Sequence, residues 1–418
     1  MKKYITILFV LVSILAYSQK SKIDWKADIE FLKNELPKKH KDFFTVRNQK
    51  EFEVDLNKIA SKTDQLKDFE IILSIQQVIA SFGDSHTHIE FSKLFDQEKG
   101  LPLKLYWFKN GIYILATSQK NKSILGKKLV SINDYPIGQV CDSLERLFTV
   151  DNRAMSKMFV PKLLNNGGLL EYFGFVKNGV YELGLEDEKA LFSKATIQVG
   201  KITKENQIAL TPNSKPYCLQ NRRKVFSQNY IEKDSIYYIL YNKCISRELM
   251  IMFGREEKAK NYPSFTEFEN AIFHTIKEKP IKQFVFDMRF NGGGSSAQGT
   301  DFVEKLVLID EINSKGKLYV VIGRKTFSSA IINSMDFRNK TEAILIGEET
   351  SGKPNHFGEI RSFDLPHSKL NITYSTKYFK ETDEDIKTIV PDVRIETNFE
   401  DYMNGVDPVY EWIKNNKP

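Results

Sequence analysis

The sequence predicts an α/β protein in which a helical segment and a β-rich region precede a C-terminal α/β unit. Three observations carry this reading. Apolar residues recur at helical spacing through the first part of the chain, short alternating stretches begin near residue 100, and strands alternate with helices from Ile236 onward. The boundaries that follow are residues 1–18 for a leader, 19–95 for a helical domain, 96–225 for a β-rich region and 226–418 for the α/β domain.

The leader is read from Lys2 and Lys3 ahead of an apolar run at 5–16, with Ala16, Tyr17 and Ser18 at a cleavage site of small residues. The run is shorter than the ~20 residues needed to span a bilayer, so it reads as a secretory signal. No Cys lies near the cleavage site to take a lipid, and no later segment is apolar enough to span. A secreted or periplasmic chain with no stable membrane span is therefore expected. Past residue 18 the chain carries 59 Lys and Arg against 54 Asp and Glu, interspersed rather than clustered. That pattern describes a solvated mixed surface and excludes a nucleic-acid footprint. Cys141, Cys218 and Cys244 are widely spaced with no C-x-x-C, so neither a disulfide framework nor a zinc site is indicated. One bridge and one free thiol stay open.

The helical segment shows Ile29, Leu32 and Leu36, then Phe52, Leu56 and Ile59, then Phe69, Ile72 and Ile75, predicting three helices over residues 24–82. They stop at Gly83-Asp84-Ser85-His86-Thr87-His88. Strands follow around residues 103–107 and 112–114. A glycine turn at Gly126, a strand through Ile132, an Asn133-Asp134 turn and a helix near 138–148 then look like the second half of a PDZ domain. Residues 150–225 carry only weak strand signals. In the C-terminal half, strands are expected at 236–240, 284–288, 318–322 and 343–346. A helix opens at the Ser264–Glu267 capping box, another follows the glycines at 292–294, and a third starts near Ser329. Residues 359–378 alternate as an antiparallel pair would.

Four clusters carry chemistry. Asp287-Met288-Arg289-Phe290-Asn291-Gly292-Gly293-Gly294 lies where a strand gives way to a helix. Its glycines let backbone approach closely, and free N–H groups there suit an oxyanion. Thr326-Phe327-Ser328-Ser329-Ala330 places a serine at a strand-to-helix turn, where its hydroxyl can face a cleft and the next N–H can assist; a serine pair before a helix also serves as an N-cap. Residues 347–353 match seven positions of a phosphate-binding loop. Pro354 replaces the hydroxyl residue that magnesium requires, which argues against nucleotide. Ser85-His86 with His88 offers imidazoles after an apolar helix, and the H-x-H pair lacks a third metal ligand.

Taken together, these clusters resemble the S41 peptidase family of tail-specific (C-terminal-processing) and tricorn-type serine proteases. The most specific parts are residues 287–294, 326–330, 347–353 and Val390-Pro391-Asp392. The resemblance implies a ClpP/crotonase-like catalytic core and Ser328 as nucleophile, which lies 19 residues before Gly347 and 25 before Lys353. Ser329 then supplies an oxyanion N–H together with Gly292 or Gly293, while Asp287 and Arg289 hold the glycine loop. Tail-specific relatives use a lysine base, matched by Lys353, but Phe357 stands where the assisting glutamine belongs. Tricorn-type relatives use a Ser-His pair, matched by Ser85 and His86, and an acid before the terminal Pro-Asp, matched by Asp385 beside Glu384. His86 is the favoured base and Lys353 the second.

The expected function is a secreted serine-type endopeptidase that cleaves peptide or protein substrates by acyl transfer, with no metal or organic cofactor. A PDZ-like module would present an extended peptide by strand addition. A secreted peptide-binding relative that has lost catalysis is the competing reading, motivated by the incomplete lysine–glutamine pattern. Hydrolysis of a non-peptide ester or amide is a third.

Overall fold

The computed structural model describes residues 23–416; the leader read at residues 1–18 lies outside them. The three expected helices are Trp25–Lys39, Gln49–Ala60 and Asp68–Ala80. Each begins for a local reason. Asp24 accepts from the Ala27 N–H, Asn48 and Glu51 cap each other's backbone, and Glu70 reaches back to the Lys67 N–H. The third helix is buried on most sides through Ile71, Leu73, Ile75, Val78 and Ile79, not along the single stripe that Phe69 and Ile72 suggested. Among the described residues no helix is long and apolar enough to cross a membrane.

An antiparallel seven-stranded sheet follows. Its main path runs Leu103–Phe108, Gly111–Ser118, Lys128–Ile132, Tyr181–Glu186 and Phe192–Ile197, with two short strands beside it. The turn at Asn133 takes φ +50°, and the helix Ile137–Leu144 follows at once. The stretch with weak strand signals instead contains the helices Arg153–Leu163 and Gly167–Tyr172, each capped by an Asn side chain. Pro161 and two glycines had masked their helical pattern.

The C-terminal half builds a six-stranded sheet in the order Val393–Arg394, Ile344–Gly347, Leu318–Ile322, Gln283–Asp287, Ile236–Tyr241 and Phe226–Ile231. All neighbours are parallel except the last, antiparallel pair. Its central strands are buried on both faces, as their unbroken apolar runs require. Ile239, Phe286 and Val320 point into one core; Tyr238, Val285 and Tyr319 point into another. Ser264 caps the helix Phe265–Glu278 as expected, but Glu248, not Glu267, completes the box by accepting from the Ser264 hydroxyl and the Phe265 N–H.

A hairpin of His356–Asp364 and Asn371–Phe379 leaves this unit and pairs antiparallel with His88–Ile89, in register His88 to Thr373. Leu365, Leu370 and Ile372 thereby join one core with Leu32, Phe52, Ile114 and Leu183. The hairpin carries residues 84–88 to the carboxyl ends of the parallel strands, where open α/β sheets place their sites. All three cysteines are buried and unbridged, so the alternative of one disulfide is set aside.

Candidate active site

Ser328 stands between the strand Leu318–Ile322 and the helix Ser329–Lys340 with φ +53° and ψ −128°. L-residues avoid this region at a cost of about 1–3 kcal/mol, and it persists only where neighbours over-determine it. Here they do. Thr326 Oγ1 donates to the Met288 carbonyl at 3.0 Å, Phe327 N–H donates to the Asn291 carbonyl at 3.1 Å, and Ile331 N–H donates to the Ser328 carbonyl at 2.7 Å. The Ser329 hydroxyl donates to the Gly294 carbonyl at 2.9 Å. The Ser328 hydroxyl caps no backbone N–H of its helix, so it is not spent as an N-cap.

The glycine loop is clamped against this turn. A Cβ on Gly294 would lie 2.1 Å from the Cys244 carbonyl oxygen, and one on Gly293 would lie 2.9 Å from the Ser328 Cβ. Only glycine fits either position, at φ +141° and +99°. The Gly293 N–H donates to Asn291 Oδ1 at 2.9 Å, so it is not free to meet a substrate oxygen. Gly292 is exposed, and it and Ser329 are the remaining N–H groups of the expected set. Beneath the loop, Asp287 and Arg289 pair at 2.9 Å, Arg289 reaches Asp407 at 2.9 Å and the Tyr238 hydroxyl at 3.0 Å, and Tyr238 donates to Asp287 at 2.6 Å. Burial raises the Asp287 carboxyl, and Arg289 opposes it; Asp407, equally buried, is held below its ordinary value by Arg289.

His86 is buried and lies flat on the Phe327 ring, with centroids 4.7 Å apart at 23°. Phe327 precedes Ser328, so the imidazole sits beside the serine turn. His356 stacks beyond it at 5.9 Å, then Phe379 on His356 at 5.4 Å. Burial pushes the His86 pKa down to about 4, Asp84 pulls it up, and His356 and His88 press it down further. His86 Nδ1 is buried without a hydrogen-bond partner, 3.9 Å from Asp84 Oδ1. His88 turns away to the Ile89 carbonyl.

Asp84 was not singled out in the sequence, although it stands two residues from His86. Its carboxylate accepts from the His86 N–H at 2.9 Å, the Thr87 hydroxyl at 2.5 Å, the Ser375 hydroxyl at 2.6 Å and His40 Nε2 at 3.0 Å. Burial works against its charge, but these partners and His86 hold its pKa well below the ordinary carboxylate value. His40 Nδ1 accepts from the Asp42 N–H at 3.0 Å, which leaves the proton on Nε2, facing Asp84.

The other expected residues are placed differently. Lys353 forms an ion pair with Asp151 at 3.6 Å. Burial raises Asp151 to about 6, with Lys353 opposing the shift. Asp385 is exposed and pairs with Lys387 at 2.7 Å; the carboxylate beside the His86 imidazole is Asp84, 3.9 Å from Nδ1. Ser85 is half-buried and makes no hydrogen bond among the described residues that would support the imidazole. After Lys353 the chain bends into the strand His356–Asp364, so no helix N-terminus is present to receive phosphates at residues 347–353.

No protein-family model matches the sequence, and no curated protein does either. Solved structures do match. Mature CPAF is similar at 12% identity and TM-score 0.59, over 93% of this chain and 95% of that one. The chain shares this fold. Mature CPAF complexed with lactacystin gives a TM-score of 0.58 at 12% identity, over 93% and 96%. The tricorn protease is more distant, at 16% identity and TM-score 0.45, over 94% of this chain and 36% of that one.

Proposed function

We propose that the chain is a serine-type peptidase of the S41 kind, with Ser328 as nucleophile, His86 as base and Asp84 as the charge that supports it. The observation that carries this reading is the strained Ser328 at a strand-to-helix turn, with a neutral, buried imidazole stacked on the residue beside it. A serine held in strained backbone at a strand-to-helix turn is the mark of an acylating nucleophile. The fold shared with CPAF supports the same reading, as do the motifs at residues 287–294 and 326–330.

In this mechanism Ser328 Oγ attacks the peptide carbonyl carbon while His86 takes the hydroxyl proton. The Gly292 and Ser329 N–H groups receive the oxyanion. Collapse breaks the C–N bond, and His86 returns its proton to the leaving amine. Water then attacks the acyl-enzyme with His86 again as base, releasing a carboxylic acid and Ser328. Asp84 steadies the imidazolium formed in each half. Lys353 serves this role less well, because its ammonium is engaged by the Asp151 carboxylate at 3.6 Å. The finer arrangement belongs to the same proposal: a secreted or periplasmic chain, a ClpP/crotonase-like core over residues 226–418, a helical domain over 19–95, and a β-rich region over 96–225 whose PDZ-like part presents peptide.

The test uses residues 19–418 against a mixed peptide library and a fluorophosphonate probe. Wild type is expected to cleave and to label, Ser328→Ala to do neither, and His86→Ala to lose about 10²–10⁴-fold in kcat/KM while Lys353→Ala retains more. A wild type inert to both library and probe overturns catalysis and leaves a peptide-binding relative.

A further inference from the structure

A cavity of about 160 Å³ opens between the seven-stranded sheet and the carboxyl ends of the strands Leu318–Ile322 and Ile344–Gly347. It does not contain Ser328 or His86, but it is lined by residues 323–325, the start of the loop that ends at Ser328. Its walls are mainly apolar, with Tyr106, Phe108, Phe290, Val321 and Ile395, and a void of roughly 150 Å³ admits a benzene-sized group.

Four cations reach this cavity, and their pairing is unequal. Arg324 is held bidentately by Glu348 at 2.6 and 2.9 Å, and Arg289 by Asp287 and Asp407. Arg222 lies over the Phe290 ring at 5.3 Å and has no ion pair among the described residues. Lys325, half-buried, has none either. Burial and the neighbouring Arg222, Lys162 and Arg324 push Lys325 down to about 8, as expected of a lysine surrounded by like charge with no carboxylate to offset it. Two unpaired cations lining an apolar pocket, one of them (Lys325) three residues before the nucleophile, favour a ligand that brings one negative charge and one apolar group together.

We propose that this cavity is a substrate subsite for a carboxylate carried next to an apolar side chain, received by Lys325 and Arg222 with the apolar group against Tyr106, Phe108 and Phe290. The carboxylate can belong to an acidic side chain or to a chain end. The inference rests on the peptidase reading for the ligand's being a peptide.

Binding separates the two ideas from turnover. Residues 19–418 carrying Ser328→Ala are titrated with three fluorescent peptides of one apolar sequence: Glu with an amidated end, Gln with an amidated end, and Gln with a free acid end. At least one carboxylate peptide is expected to bind about tenfold or more tightly than the Gln amide, and which one identifies the source. Adding Lys325→Gln and Arg222→Gln should erase that difference and leave the Gln amide's Kd unchanged. Lys325→Arg with Arg222→Lys should keep it, which separates lost charge from a lost fold. Equal binding of all three peptides, or a preference that survives the double Gln substitution, overturns the subsite. A wild type that cleaves no peptide while the preference persists overturns the peptidase reading alone.

Discussion

At the residue scale the site sets an imidazole that stays neutral across a wide pH range against a carboxylate that stays charged. In the proposed mechanism His86 must be neutral to take the Ser328 proton, and burial places its pKa near 4. Its base form therefore persists above that value and is lost as pH falls through it. The acid limb of kcat/KM is expected near pH 4 rather than near the ordinary histidine value of about 6.5. In Asp84→Asn the carboxylate that raises the His86 pKa is gone, so the limb should shift to still lower pH. The plateau should fall by about 10²–10⁴-fold, because the imidazolium formed during acylation loses its counter-charge. A pH–rate profile of both proteins checks this, and an unmoved limb with an unchanged plateau would remove Asp84 from the mechanism.

At the element scale the proposed activity depends on two loops that interlock, the glycine loop and the Ser328 turn. They meet through Phe327 to Asn291, Ser329 to Gly294 and the contact of Gly293 with Ser328. The three glycines are not equivalent. Gly294→Ala forces a Cβ into the Cys244 carbonyl at φ +141° and should cost about 3 kcal/mol or more, with activity lost. Gly292→Ala meets nothing within 4 Å and keeps its N–H, so its stability should change by less than about 1 kcal/mol. Denaturant unfolding of the two variants separates them, and equal losses would contradict the clamp.

At the scale of the whole molecule the hairpin His356–Asp364 and Asn371–Phe379 ties the two halves together. Its strand pairs with His88–Ile89, and Leu365, Leu370, Ile372 and Tyr374 are buried in the N-terminal core. Residues 226–416 produced alone should therefore expose this apolar face, bind a hydrophobic dye and show early proteolysis within 356–379. Co-expression with residues 23–225 should suppress both. A stable, dye-silent C-terminal fragment would show that the hairpin needs no partner.

By itself the sequence determined the elements whose cause is local. The stripes of the first two helices, the Ser264 cap, the buried runs of the parallel sheet and the alternation of the hairpin all act within a few residues, and each was readable. So were the close approach of the glycine loop and the strand-to-helix turn at Ser328, because such backbone demands particular residues at particular positions. The helices at 153–163 and 167–172 were not readable, since Pro161 and adjacent glycines weaken the local signal and burial decides there. Only the tertiary structure set Asp84, not Asp385, beside His86, paired Lys353 with Asp151 and brought His40 and Ser375 to one carboxylate. Those choices depend on burial and on the pairing of His88 with Thr373, contacts between distant parts of the chain that leave no periodicity behind.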